Sequence, residues 1–329
     1  MNGGRRLGAM LKVSKGADKY ALKTENLTKT IGNLLVVDNL NLEIRRREVF
    51  GFLGPNGAGK TTSIKMMVGL LRPTSGRVLF DGAKSGSAVK RRIGVCPQDL
   101  AMWDALTCRE NLTFMGDMYG IPPPLLEARV NKLLDLLSLT ERADQTAAKL
   151  SGGMKRRLNI ALAVVHDPEI VFLDEPSAGL DPQSRLLLWE FIRFLRDEED
   201  KTIVLTTHAM EEADALSDRI AIIDHGTLLR LDTPEGLKQT LGKGDVVELQ
   251  LVDPRMNEKV LALMKSLREI EEVYQLKGKI AVRALGATSK LPMIIRRIER
   301  AGGRVSDISV RRNSLEDVFV SLTGRALKE

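Results

Sequence analysis

The stretch GPNGAGKTT, Gly54 to Thr62, decides how the rest of the chain is read. It follows the apolar run Val49, Phe50, Phe52 and Leu53 and opens into a pattern with helical spacing. The arrangement G-x-x-x-x-G-K-[ST] puts glycines where the backbone must curl through unusual dihedrals and approach an anion closely, so that successive amide N–H groups point inward. Gly54, Gly57 and Gly59 supply that freedom, with Pro55, Asn56 and Ala58 between them. A helix beginning near Lys60 adds amides and about half a positive charge at its N-terminus. Lys60 is expected to reach the β and γ phosphates of a nucleotide and Thr61 to hold a magnesium ion, with Thr62 closing the cradle. The pattern predicts a nucleoside-triphosphate site between a strand and a helix.

Upstream of the cradle, Leu40, Leu42 and Ile44 alternate as in a half-buried antiparallel strand. Downstream, Ile64, Met67, Val68 and Leu71 share one helical face, and Arg77 to Phe80 is a strand between the turns Ser75-Gly76 and Asp81-Gly82. Ile93 to Cys96 reads as another strand, left through the loop Pro97-Gln98-Asp99. A helical insertion is expected over about 99–165. Thr107 and Glu110 form a capping box there, Pro122 to Pro124 break the helix, and Val130, Leu133, Leu134 and Leu137 stripe the next one. Leu150-Ser151-Gly152-Gly153 opens a further helix, whose Lys155-Arg156-Arg157 is expected to be a solvated face.

Ile170 to Leu173 is four apolar residues in a row, the mark of a strand buried on both faces of a parallel sheet, and Asp174 and Glu175 stand where it emerges. Behind a phosphate cradle, Asp174 suits magnesium through its water shell and Glu175 suits the orientation and polarisation of an attacking water. Asp181-Pro182 starts a helix. Thr202 to Thr206 is a further strand, and His208 beyond it can hydrogen-bond a γ-phosphate oxygen. His166 and His225, at a helix end and in a turn, read as structural.

Past about Leu241 the character changes. Val247, Leu249 and Leu251 alternate, and Val260, Leu263, Met264 and Leu267 follow helical spacing. Val273 and Gln275 are joined through Lys277-Gly278-Lys279 to Ile280 and Val282. A helix through Leu291, Ile294, Ile295 and Ile298 stops at Gly302-Gly303, and a strand through Ile308 and Val310 follows. The order β-α-β-β-α-β predicts a ferredoxin-like sandwich. Ser314 and Asp317 then begin a short helix with Leu315, Val318, Phe319 and Leu322 on one side, expected to stabilise the dimer.

The length of 329 residues suits about two domains. Of the net charge of +7, residues 1–24 carry +5 (Arg5, Arg6, Lys12, Lys15, Lys19 and Lys23 against Asp18), so the body is near neutral. That leader reads as solvated and disordered. Cys96 and Cys108 lack metal-type spacing and argue for a reducing compartment. No apolar run approaches the ~20 residues that span a bilayer.

These motifs resemble those of ATP-binding cassette (ABC) ATPases. Gly54–Thr62 is similar to the Walker A loop, Gln98 to the Q-loop, LSGGM from Leu150 to the signature, Asp174-Glu175 to Walker B, SAGLD from Ser177 to the D-loop and His208 to the switch histidine. The resemblance covers about Ala21 to Lys238. Met154 in the signature, LEDVF from Leu315 and Thr323-Gly324 resemble the daunorubicin-resistance-type branch that serves type-2 ABC exporters. It implies an α/β fold: an ABC core of P-loop parallel sheet, antiparallel β-subdomain and helical insertion, with a small α+β C-terminal domain. The expected division is a leader at 1–20, the ATPase domain at 21–240 and an accessory or regulatory domain at 241–329.

The resemblance also implies ATP and Mg2+ as cofactors, with Thr61, Asp174 and Gln98 around the metal and Glu175 and His208 in catalysis. Two copies would face head to tail, each ATP lying between one Walker A loop and the partner's Ser151, Gly152 and Gly153, with Asp181 contacting across. Gln98 would link the γ-phosphate to a helical insertion that receives an integral-membrane permease, placing the chain peripherally on the cytoplasmic side of the membrane. The cargo stays open among drugs, lipids and polysaccharides. An alternative is a soluble ABC ATPase acting on ribosomes or DNA; the second cassette and the long coiled coil usual there are missing. Departures from the pattern are Ile31, where an aromatic usually stacks on adenine, Arg47, where a turn glycine is usual, and Met154, where the wider family has glutamine.

Overall fold

The computed structural model describes residues 20–81, 83–84, 87–241, 245–276, 278–284 and 286–324. The predicted leader lies outside them apart from Tyr20. The chain divides into two compact units. One holds residues 20–50, 59–206 and 225–227, the other 51–58, 207–224 and 228–324.

In the first unit, β1 (Tyr20–Ile31), β2 (Leu34–Arg45), β4 (Ser75–Phe80) and β5 (Ala83–Lys84) form an antiparallel sheet in the order β2-β1-β4-β5; β3 (Val49–Leu53) comes between β2 and β4 in the chain. Opposed pairs such as Leu22↔Ile44, Thr24↔Leu42 and Leu22↔Phe80 put the predicted alternating residues on a buried face. Arg47, where the sequence lacks the usual turn glycine, sits at φ 59°, a left-handed conformation that costs an L-residue energy.

Helix α1 (Lys60–Met67) follows the cradle, and α2 (Ser87–Lys90) precedes β6 (Ile93–Cys96). Strands β6, β7 (Ile170–Asp174) and β8 (Thr202–Thr207) are parallel neighbours, in register at Ile93↔Ile170 and Ile170↔Thr202. Every residue of β7 and β8 is buried, as the apolar run Ile170 to Leu173 leads one to expect of β7; β8 buries Thr202, Thr206 and Thr207 beside its apolar Ile203, Val204 and Leu205. The catalytic candidates therefore emerge from the carboxyl ends of rigid central strands.

Between β6 and β7 lie α3 (Cys108–Met118), α4 (Pro123–Leu136) and α5 (Gly152–Val164). The Thr107–Glu110 capping box opens α3, and Pro123 starts α4 at the position where its missing N–H costs nothing. These two helices approach closely at Gly116, where a Cβ would stand 2.1 Å from Leu126 Cδ1. His166, past α5, stacks on Tyr119 with ring centroids 3.8 Å apart, and its Nε2 donates to Ile93 O at 3.0 Å. Burial holds its pKa below the usual histidine value. Helix α6 (Pro182–Asp197) is capped by Asp181, whose carboxylate accepts from Ser184 N at 2.9 Å.

The second unit contains α7 (Met210–Leu216), β9 (Arg219–Asp224), β10 (Thr227–Asp232) and α8 (Pro234–Gln239), with strand neighbours β10-β9-β3. There follow β11 (Asp245–Leu251), α9 (Asn257–Lys265), β12 (Glu272–Leu276), β13 (Lys279–Ala284), α10 (Ala287–Arg300), β14 (Val305–Arg311) and α11 (Leu315–Thr323). The antiparallel order β14-β11-β13-β12 is that of a ferredoxin-like sandwich. Val247, Leu249 and Val282 on one face pack with Val260, Met264, Ile294 and Ile298 of the two helices. The other face carries Val246, Tyr274 and Ala281 and receives Val320 of α11. The opposite side of α11, Leu315, Val318 and Phe319, packs with Leu53, Ala213, Ile220 and Leu237. The last helix is therefore a wedge with two apolar faces.

Candidate active site

The cradle passes from one unit to the other after Ala58. Within the second unit, Gly54 N bonds Thr207 O at 3.4 Å, and a Cβ on Gly54 would stand 2.2 Å from Ile223 O. Pro55, Asn56, Gly57 and Ala58 follow, with Gly57 at φ 81°. Within the first, Gly59 at φ 96° is the N-cap of α1, no side chain caps that helix, and its first turn holds no acid. An uncapped N-terminus opening from a glycine curl is the local geometry that suits an anion. Lys60, Thr61 and Thr62 form its first turn.

Lys60 is only 5% exposed, and burial lowers its pKa while Glu175 and Asp174 pull it back up. Its Nζ lies 3.8 Å from Glu175 Oε1. Thr61 Oγ1 donates to Asp174 Oδ1 at 3.1 Å, and Thr206 Oγ1 donates to the same oxygen at 2.5 Å. Gln98 Nε2 donates to Glu175 Oε2 at 3.1 Å. The structure thus joins Lys60, Thr61, Gln98, Asp174 and Glu175, from three separate stretches of sequence, into one cluster of hydrogen bonds and an ion pair. Glu175 takes φ 48°, and its N–H is held by Thr206 O and Oγ1 at 3.1 and 3.0 Å. A strained backbone persists only where its surroundings over-determine it, and such residues concentrate at functional sites.

Ser151, Gly152 and Gly153 belong to a different cluster. Ser151 caps α5, its hydroxyl accepting from Met154 N at 3.3 Å, and a Cβ on Gly153 would stand 2.7 Å from Ser184 Oγ. The signature stretch therefore adjoins the start of α6, where Asp181 is exposed and its hydrogen bonds from Ser184 hold its carboxyl below the usual range. His208 lies in the second unit, just beyond β8 and two residues before α7.

One sequence expectation is corrected. Arg156 and Arg157 are not a solvated face: they are 5% and 8% exposed. Helix α5 is buried from Arg156 to Val164. A helix apolar all round lies inside, and the run Leu158 to Val165 was the available signal. Thr206 was also missed, since only strand register places it opposite Asp174.

Comparison with known proteins gives a consistent result. A family model described as ABC transporter matches residues 37–178. The linearmycin resistance ATP-binding protein LnrL of Bacillus subtilis (strain 168) is 37% identical over 313 residues, 94% of this chain and 100% of that protein. A Nod factor export ATP-binding protein I of Sinorhizobium fredii is 37% identical over 320 residues, 96% of this chain and 90% of that protein. A dimeric ATP-binding cassette solved in a post-hydrolysis state with ADP and Pi superposes with a TM-score of 0.59 at 27% identity, covering 64% of this chain and 98% of that one.

Proposed function

The chain belongs to the ABC transporter family, as an ATP-binding and ATP-hydrolysing subunit of an exporter, and from that premise we propose that the cluster around Glu175 is one half of a composite ATP site. The observation that carries this reading is the set of hydrogen bonds linking Thr61 to Asp174 and Gln98 to Glu175 at the uncapped start of α1. The amides of that turn and Lys60 bind the β and γ phosphates. Glu175 accepts the proton of the water attacking the γ-phosphorus, Gln98 orients that carboxylate, and His208 contacts a γ-phosphate oxygen. The hydroxyl of Thr61, the carboxylate of Asp174 and the amide oxygen of Gln98 are the hard oxygen donors that magnesium takes. They would hold the ion, whose charge would offset that of the phosphate oxygens.

The other half comes from a second copy, through Ser151, Gly152, Gly153 and Asp181. Support for this is the exposure of Ser151, Gly152 and Asp181; the contacts of Ser151 and Asp181 run to Met154 and Ser184. Phosphate release from MgATP by the purified chain tests the reading. EDTA is expected to lower release at least about tenfold, because an uncompensated triphosphate binds and reacts poorly. Release unaffected by EDTA, or a Glu175→Gln chain that stays monomeric with MgATP, would count against it.

The remaining partner is an integral-membrane permease subunit. A groove of about 270 Å³ lies among Leu70, Val95, Ala101, Met115, Tyr119 and Leu162. Leu70 in it is 73% exposed; on α3, which supplies Met115, Met118 is 67% exposed and Phe114 meets Trp103 edge-on at 4.7 Å. This apolar surface with aromatic anchors, adjoining the loop that carries Gln98, suits a short amphipathic helix from the permease. No helix among the described residues is long and apolar enough to cross a membrane, so such a partner would hold the chain at the cytoplasmic face. Leu70→Arg is expected to reduce co-purification with a membrane protein from detergent-solubilised membranes about tenfold, with MgATP affinity unchanged; undiminished recovery would refute the groove. The relatives' names favour a drug or another exported small product as cargo. The functional boundary falls near residue 240, with an accessory domain beyond it.

A further inference from the structure

Arg156 touches none of the groups that meet nucleotide, yet its environment is built around them. It stands one turn into α5, is 5% exposed, and aims its guanidinium at five backbone carbonyls. Nε donates to Pro176 O at 2.9 Å. Nη1 donates to Pro97 O and Gln98 O at 2.9 and 2.8 Å, and Nη2 to Asp174 O and Glu175 O at 2.7 and 2.8 Å. A guanidinium has five N–H donors in a fixed plane, so each has one acceptor. Three acceptors lie on the segment that ends β7 and two on the Q-loop. A single planar group thus fixes the distance between the backbones that carry Glu175 and Gln98. Asn159, on the same helix, completes the hold: its Nδ2 donates to Cys96 Sγ at 3.2 Å and its Oδ1 accepts from Ala101 N at 3.0 Å.

Glu175 gains most from this arrangement. Its left-handed backbone is tied at the N–H by Thr206 and at the C=O by Arg156 and Ala178 N. Fixing both peptide groups fixes the direction of the Cα–Cβ bond, and hence where the carboxylate lies against Gln98 Nε2. Helix α5 also begins at the signature residues, which serve the nucleotide of the other copy. The same rigid helix therefore contacts one ATP at its N-terminus and positions the base for the other one turn later.

We infer that Arg156 is a positioning residue for ATP hydrolysis: it aligns Glu175 with Gln98 and ties that alignment to the signature helix. The inference rests on the proposed roles of Glu175 and Gln98. Lysine keeps the charge but has three donors on one flexible atom and cannot span five carbonyls.

The test is a double-mutant cycle on the full chain with Arg156→Lys and Glu175→Gln, read by single-turnover hydrolysis of labelled ATP and by fluorescent-nucleotide binding. Arg156→Lys is expected to lower the rate about 30-fold, in the range that sub-ångström misplacement of a catalytic group costs, with MgATP affinity within about threefold. In the Glu175→Gln background the same change is expected to add almost nothing, because the group being aligned is already gone. An equal fold-loss in both backgrounds, or a loss residing wholly in affinity, would overturn the inference. If Arg156→Lys does not fold, Arg156→Gln, which keeps a planar donor for part of the set, enters the same cycle with the same criteria. Full turnover by Glu175→Gln alone would instead overturn the reading of the site itself.

Discussion

Glu175→Gln lowers kcat about 1000-fold and leaves MgATP affinity within about twofold, since loss of a positioned general base costs 10²–10⁴ in rate. The amide has nearly the shape of the carboxylate and its oxygen can still accept from Gln98 Nε2, which lies 3.1 Å from Glu175 Oε2. The substitution removes a proton acceptor and a negative charge 3.8 Å from Lys60 Nζ. With that competitor neutralised, Lys60 gives its charge more fully to phosphate, so nucleotide binding does not weaken. The closed dimer then persists because the step that opens it is blocked, and size-exclusion chromatography with MgATP registers a dimer that the unmodified chain shows only transiently. A loss carried by KM with kcat intact would mean that Glu175 contributes uniform binding and no base. That result would move the proton acceptor elsewhere.

The phosphate cradle and the strand-end carboxylates were legible in sequence because their chemistry forces residue types into short spacings. Only glycine tolerates φ 81° at Gly57 and φ 96° at Gly59 without cost. The unbroken apolar run of β7 likewise announces a strand covered on both faces. Capping boxes at Thr107 and Ser314 were readable for the same reason, since both partners lie within one turn. What escaped was set by register and by distant packing. Thr206 meets Asp174 only because β7 and β8 align in parallel, and no local pattern marks it. Arg156 looks like one of three surface cations until α5 proves to be buried, after which its five acceptors come from two loops 59 and 20 positions away at their furthest. The second apolar face of α11 was hidden similarly: Val320 is one position off the stripe of Leu315, Val318, Phe319 and Leu322 and serves a different core. Interactions made within a few residues leave a sequence signal; those made between elements do so only through composition.

Asp317→Asn loosens α11 by about 3 kcal/mol, the lower end of what breaking a buried charge pair costs. Asp317 is 1% exposed, and its carboxylate accepts from five donors on three residues. Arg311 Nη2 donates to Oδ1 at 2.8 Å and Ser314 N to Oδ2 at 2.7 Å, the second closing the capping box. The Tyr274 hydroxyl, Arg311 Nη1 and the Ser314 hydroxyl, at 2.9 Å from Oδ2, complete the set. An amide presents one acceptor in place of two and cannot pair with the guanidinium. Arg311 retains Glu248 Oε1 at 2.6 Å, which keeps the loss near the lower figure. Burial alone would raise the pKa of Asp317, but the hydrogen bonds from Arg311, Tyr274 and Ser314 outweigh it and hold the carboxyl below its ordinary value. A carboxyl so depressed contributes stability that is present above the unfolded value of about 3.9 and is lost as pH falls through the folded value. Protection of the α11 amides in the unmodified chain should therefore decline as pH drops below about 4, and the difference from Asp317→Asn should shrink with it. Because a chain of more than one unit need not unfold in a single step, amide hydrogen exchange of α11 is a better measure than a melting temperature. Equal exchange in the two proteins at neutral pH would show that apolar burial of Val318, Phe319 and Val320 holds the wedge by itself. A depressed carboxylate at the root of α11 instead makes the attachment of that helix to the core around Ala213 and Leu53 depend on a charge pair, so that acid releases the wedge before it unfolds the apolar cores.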